Sequence, residues 1–297
     1  MKTRSATTFA TVAVGLATAL SLTGCGTGSG DDSGKPSVVA STNVWGNIAA
    51  TVAGPDANVE SIITDPAADP HSHETSAIES ATITDADLVV YNGGGYDEFI
   101  EKAIEGTGKR AVDAFASRAD DIRDDENEHV WYDIDTVAVV ADRIAAALGE
   151  IDPDHAAGYT DRATAFKDSL NGVRSYTTPA RTSDPGAPIM QTEPLAHYLL
   201  LDAGAKDMTP HEYQEAIEQE TDPAPAAVAA TRDLITGKQV RAMVYNVQTE
   251  DNTSKELRAQ AEAAGIPVVE VTETLPAGVD YVTWQTDNAR ALAAALD

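Results

Sequence analysis

Asp87-Leu88-Val89-Val90-Tyr91-Asn92-Gly93-Gly94-Gly95-Tyr96 is the stretch from which the fold is read. Its apolar run predicts a strand, and Asn92 with three glycines stops that strand abruptly. The chain resumes as a predicted helix over 96–104. Strand, sharp turn and helix make one βα unit, and the pattern recurs on both sides. Upstream, the pattern predicts a strand over 37–42, a helix over 44–52 capped by Asn43, a strand over 59–63 and a helix over 75–83. Downstream come a short strand over 111–113 and an Ala/Val-rich helix over 136–148. A second series follows later, with strands over 189–192, 240–245 and 267–271. Its helices cover 195–202, 223–235, 254–264 and 280–296. Between the two series, residues 153–175 hold no proline beyond Pro153, and Tyr159, Ala163, Phe166, Leu170 and Val173 recur at helical spacing. Such a helix is roughly 30 Å long at 1.5 Å per residue. Residues 177–188 read as a turn-rich boundary. The alternation predicts an α/β protein of two lobes with mostly parallel sheets, joined by one long helix. The lobes are expected over residues 37–150 and 179–297, with the linking helix in 151–178.

The first 24 residues read as a signal peptide. Lys2 and Arg4 form a positive start, an Ala-rich apolar run follows, and Leu22-Thr23-Gly24-Cys25 ends it. That ending resembles a bacterial lipobox, which implies cleavage before Cys25 and lipid on the new N-terminal cysteine. Cys25 is the one cysteine in the sequence, so an intrachain disulfide framework is excluded. Residues 25–36, rich in Gly, Ser and Asp, read as a flexible tether. The protein is expected outside the cytoplasm, held at the cell membrane by its lipid.

The 297 residues carry 20 basic and 48 acidic side chains, a net charge of −28. Loss of Lys2 and Arg4 with the signal leaves 18 basic against 48 acidic, or −30. Nucleic-acid binding, which needs a basic patch, is excluded.

Two loop segments concentrate the chemistry. They are Asp69-Pro70-His71-Ser72-His73-Glu74 and Glu128-His129-Val130-Trp131-Tyr132-Asp133, and they hold three of the six histidines. Neutral imidazole is a common transition-metal ligand, and Pro70 sets His71 on a rigid loop. A lone loop histidine is often simply solvated; two such loops point to a shared metal site. Glu193 and Glu273 each follow a predicted strand, where ligands sit in open α/β sheets. Two imidazoles and two carboxylates would neutralise a divalent cation and fill four positions, which suits holding a metal rather than activating water. Each carboxylate read by itself is equally a solvated loop acid.

Several segments together resemble the zinc/manganese class of ABC-transporter substrate-binding lipoproteins. They are Ala40-Ser41-Thr42-Asn43-Val44-Trp45, Asp69-Pro70-His71, Ala86-Asp87-Leu88-Val89-Val90-Tyr91-Asn92-Gly93 and His129-Val130-Trp131-Tyr132-Asp133. They continue with Thr192-Glu193-Pro194, Glu220-Thr221-Asp222-Pro223 and Val271-Thr272-Glu273-Thr274. The resemblance spans nearly all of residues 38–296. It implies two α/β lobes joined by one long helix, with the metal in the cleft between them. It places ligands at His71, His129, Glu193 and Glu273. It implies one divalent metal as cargo, a monomer, and delivery to a cognate ABC permease and its ATPase. The zinc branch usually has His where Glu193 stands, and a His-rich loop where 120–128 is acidic. Harder oxygen ligands move preference toward Mn²⁺, although raw affinity still favours Zn²⁺. His73 is a spare ligand, a neighbour supporting the ligands, or surface. His155, His197 and His211 are expected to cap, pack or face solvent, and Trp131 and Tyr132 to wall the site. A helical linker implies a small closure rather than a wide hinge. Other readings are a surface adhesin and a metal-dependent hydrolase built on His71-Ser72-His73. The hydrolase would need an open water position and further ligands that the sequence does not supply, so no enzymatic activity is expected.

Overall fold

The computed structural model describes residues 34–65, 68, 70–119, 126–219 and 221–297. The signal segment, Cys25 and most of the tether lie outside the described residues, as do Asp69, Glu220 and positions 120–125.

Strands β1 (Ser37–Thr42), β2 (Asn58–Ile63), β3 (Leu88–Tyr91) and β4 (Ala111–Asp113) form an all-parallel sheet in the order β2-β1-β3-β4. Val39 is in register with Glu60 on one side and Val89 on the other. Val38, Val39, Ala40, Leu88, Val89 and Val90 are all buried, as expected of a parallel sheet covered on both faces. Its helices are α1 (Asn43–Ala53), α2 (Ala77–Asp85), α3 (Glu98–Ile104) and α4 (Ile134–Ile151). Helix α2 begins at Ser76, which accepts from the Glu79 N–H at 3.2 Å while its own N–H donates to the Glu79 carboxylate at 2.7 Å.

Asn43 is not the cap of α1. Thr42 holds that position, and Asn43 is the first helical residue. Its amide instead donates to the Leu275 carbonyl at 2.9 Å and accepts from the Leu275 N–H at 2.9 Å. A long-range partner outcompetes the local cap.

The linking segment is helical over a different span from that expected. A short 3-10 turn at Pro153–His155 leads into α5 (Ala156–Ser169) and then α6 (Asn171–Ser183). The break falls at Leu170, which keeps helical angles but bonds its N–H to the Lys167 carbonyl three residues back. Residues 177–183, expected to be a boundary, continue α6 straight through Pro179. Burial of Val173, Thr177 and Ala180 along α6, which packs on the C-terminal helix, outweighs the local turn composition.

The second sheet repeats the first. Strands β5 (Pro188–Gln191), β6 (Lys206–Asp207), β7 (Ala242–Asn246) and β8 (Val268–Val271) are parallel in the order β6-β5-β7-β8. Helices α7 (His197–Asp202), α8 (His211–Glu218), α9 (Pro225–Thr236), α10 (Asn252–Ala264) and α11 (Tyr281–Leu296) accompany it. The sequence pattern predicted neither β6 nor α8.

One apolar core runs through both sheets. It joins Val38 and Leu88 of the first with Val244 and Val269 of the second, through Trp45, Tyr281 and Trp284. Each fully buried large apolar side chain contributes about 1.5–3 kcal/mol. Hydrogen bonds reinforce the joint, from the Tyr281 hydroxyl to the Trp131 carbonyl at 2.7 Å and from the Tyr132 hydroxyl to the Thr272 carbonyl at 2.8 Å. A close-packed interior shared by two lobes opposes a wide hinge.

Candidate metal centre

In both sheets the chain order reverses beside the first strand, and the crevice beyond the carboxyl ends of the strands is where such folds bind ligands. The four expected ligands stand on segments that leave those ends. Glu193 and Glu273 stand two residues beyond β5 and β8, while His71 and His129 sit on the loops that follow β2 and β4. His71, Glu193 and Glu273 line one cavity of ≈ 550 Å³, together with Glu218, Gln248 and Thr249.

The carboxylates are held first. Asn246 ends β7, and its amide nitrogen donates to Glu193 at 2.7 Å and to Glu273 at 2.9 Å. The amide orientation is set by its oxygen, which accepts the Gln248 N–H at 3.0 Å. Thr249 donates a further bond to Glu193 at 2.6 Å, and the Glu273 N–H donates to the Gln248 side-chain oxygen. Tyr96, from the first lobe, lies 3.4 Å from Glu273 through its hydroxyl. Glu193 and Glu273 are each only 5% exposed.

The imidazoles are held by rings. Tyr96 meets His71 edge-on at 4.8 Å, Trp131 meets His129 at 5.2 Å, and Tyr96 and Trp131 pack on each other at 4.6 Å. Trp131 and Tyr132 are both buried. His129 is fully buried, which pushes its pKa down and keeps it in the neutral, ligating form. The Asn127 oxygen lies 3.2 Å from its Nδ1, which calls for the proton there and leaves the lone pair on Nε2. That Nε2 is buried with no hydrogen-bond partner among the described residues. A buried lone pair without a donor is what a cation would satisfy.

The triple glycine of the opening motif supports this loop. Gly93, Gly94 and Gly95 all have positive φ, and a side-chain carbon on Gly93 would come within 2.5 Å of Asp113. The turn is pinned by Asp97, which accepts the Asn92 and Gly93 N–H groups at 2.7 and 2.8 Å. Burial pushes the Asp97 carboxyl up to about 6. Asn92 in turn donates to the Glu128 carbonyl at 2.8 Å, directly before His129.

Two acids that sequence reasoning did not assign stand beside these residues. Glu128 accepts from or shares a proton with His71 Nε2 at 3.3 Å. Burial pushes its carboxyl up, but the hydrogen bond with His71 leads the effects that bring it below the usual range. Glu218, at the end of α8, faces Glu128 and Glu193. Burial and those two carboxylates push it up to about 7. Adjacency to His129 was a signal for Glu128. Glu218 had none, because α8 itself was not read. Glu128, His129 and Glu218 each present a ligand atom, all within 4.8 Å of one another.

The other histidines have partners of their own, and His197 is near enough to His129 to bear on it electrostatically. His73 packs edge-on against Phe99 at 4.6 Å, with Nε2 3.5 Å from Glu79. His155 pairs with Asp152 at 2.7 Å, His197 packs on Tyr198, and His211 is exposed near Glu215.

The manganese-binding lipoprotein MntA of Halalkalibacterium halodurans is 27% identical over 140 residues, 46% of either chain. The iron-binding protein YfeA of Yersinia pestis is 24% identical over 226 residues, 73% of this chain and 71% of its own. The match to MntA thus spans about half of that relative's length. The solved periplasmic zinc-binding protein TroA of Treponema pallidum superposes with a TM-score of 0.74 at 19% identity, over 89% of this chain and 99% of that one. The likeness to TroA establishes the fold. The family model described as zinc-uptake complex component A, periplasmic, matches residues 38–295, and the chain belongs to that family.

Proposed function

We propose that this protein captures one divalent transition metal outside the cytoplasm and delivers it to an ABC permease driven by its ATPase. It is read as a monomer tethered to the membrane through lipid on Cys25, with lobes over residues 37–150 and 179–297. The metal lies between His71, His129, Glu193 and Glu273.

One observation carries this reading. Two buried carboxylates, Glu193 and Glu273, share one neutral amide donor, Asn246, and Glu193 lies near enough to bear electrostatically on buried His129, whose Nε2 has no partner among the described residues. Like charges side by side in a buried site are costly, and a divalent cation neutralises both. The relatives named above bind manganese or iron, the superposed structure binds zinc, and the family is named for zinc uptake. These names support a transition metal as cargo. Two carboxylate ligands, with Glu128 and Glu218 close by, favour Mn²⁺ over Zn²⁺ by their hardness. Four protein ligands suit retention and transfer of an ion rather than catalysis by it. The shared core suits a small change of shape on loading, which a permease would sense through contacts that differ between the two states.

The test is elemental analysis of the full-length chain purified without added metal, beside Glu193→Ala and His71→Ala. The expected result is about one equivalent of Mn or Zn, lost in both variants. Absence of stoichiometric metal in the wild type, even after reloading with Mn²⁺ and Zn²⁺, would overturn the reading.

A further inference from the structure

We propose that Glu128, His129 and Glu218, which stand on a loop and at a helix end rather than just beyond a strand, form an outer cation site that exchanges a divalent metal with the His71, His129, Glu193 and Glu273 set. The inference rests on the reading of that inner set as the cargo site.

Three observations meet at this place. The ligand atoms of Glu128, His129 and Glu218 lie within 4.8 Å of one another, a spacing from which a small inward shift of the side chains lets a single ion about 2.0–2.2 Å from each ligand bridge them. His129 brings a buried Nε2 with no partner among the described residues. Glu218 makes no hydrogen bond or ion pair among the described residues, although it is half-buried and faces two other carboxylates. Two carboxylates and one neutral imidazole balance the charge of a divalent ion. Three protein ligands leave positions to water, so the ion stays exchangeable.

The inner carboxylates are differently placed. Glu193 is engaged by Asn246 and Thr249, and Glu273 by Asn246 and Tyr96. His71 is engaged by Glu128. An ion at the outer site draws the Glu128 oxygens to itself, which frees His71 Nε2 for the inner set. His129 belongs to both sets, so the ion keeps one ligand throughout while Glu128 and Glu218 exchange for His71, Glu193 and Glu273. Because Glu218 ends α8 of the second lobe and Glu128 lies in the first, the outer site also spans the crevice.

The experiment is stopped-flow uptake of Mn²⁺, and separately of Zn²⁺, by the full-length wild type, Glu218→Gln and Glu128→Gln, followed with a metal indicator. Release into excess chelator and metal content at equilibrium are measured on the same samples. Glu218→Gln is expected to slow both uptake and release by about tenfold or more, as removal of a supporting ligand does, while about one equivalent remains bound. Glu218→Asp, which keeps the charge and shortens the reach, is expected to fall between. Wild-type rates in Glu218→Gln and Glu128→Gln would overturn the outer site and leave the inner set intact. Loss of the bound equivalent in Glu218→Gln at unchanged uptake rate would also overturn it, since Glu218 would then be an inner ligand. A wild type that takes up neither metal would instead bring down the cargo reading itself.

Discussion

His71 and His129, on the loops after β2 and β4, are positioned by rings, whereas Glu193 and Glu273, just beyond β5 and β8, are positioned by hydrogen bonds. The two sheets have the same strand order, so the difference lies in what leaves the strand ends. A residue two positions past a strand inherits the ladder's geometry, and a donor at the end of the next strand, Asn246, can reach it. A residue eight positions past β2 inherits nothing and is placed by the wall it packs against, here Tyr96. Exposure does not follow distance from the strand alone: the His71 side chain is 34% exposed, whereas His129, packed on Trp131, is fully buried. The second lobe therefore presents a preformed carboxylate pair, and the first presents imidazoles of which one, His71, is engaged by Glu128.

The sharpest way to break this contrast is Asn246→Ala. It removes the donor common to both carboxylates, and metal affinity is expected to fall about 10–100-fold in a chelator-competition titration. Unchanged affinity would mean that the carboxylate pair is not preorganised by β7. Next is the joint between the regions. Asn43→Ala removes both hydrogen bonds to Leu275, at 2.9 Å each, and is expected to cost about 2 kcal/mol in denaturant unfolding. A loss below about 0.5 kcal/mol would show that packing alone joins the lobes.

A pH series sharpens the picture further. Glu218 has its carboxyl raised to about 7 from 4.5, so between those values the folded chain binds more protons than the unfolded chain. Its contribution therefore falls as pH rises from about 4.5 to 7. In the presence of chelator, the difference in Tm between Glu218→Gln and the wild type is expected to grow in favour of the variant across that window. A flat difference would refute the crowding of Glu218 with Glu128 and Glu193. The smallest effect is expected of His73→Ala, since His73 lies against Phe99 and does not line the cavity. Its metal content should equal that of the wild type, and a lost equivalent would make His73 a ligand.

Much of the frame was legible because it is written in local patterns. The apolar runs at 37–42 and 88–91 became β1 and β3, and the stop at Asn92 became a glycine turn with positive φ. Where reading failed, a distant partner had won. Asn43 left its cap for Leu275, and α6 ran through Pro179 because its buried side packs on α11. Helix α8 was missed because its eight residues are shorter than the window over which a helical period is read, although Tyr213, Ala216 and Ile217 stand at helical spacing.

The sequence by itself determined the two α/β series, the strand ends at which Glu193 and Glu273 emerge, and the loops that carry His71 and His129. These follow from hydrophobic period and turn chemistry, which act over a few residues. Tertiary structure alone decided that Asn246 sits between Glu193 and Glu273, that Glu128 engages His71, and that Glu218 faces His129 from the other lobe. Those meetings join positions 27 to 89 residues apart, and no local pattern encodes them. They depend on how the helices close over the carboxyl ends of two sheets through one shared core.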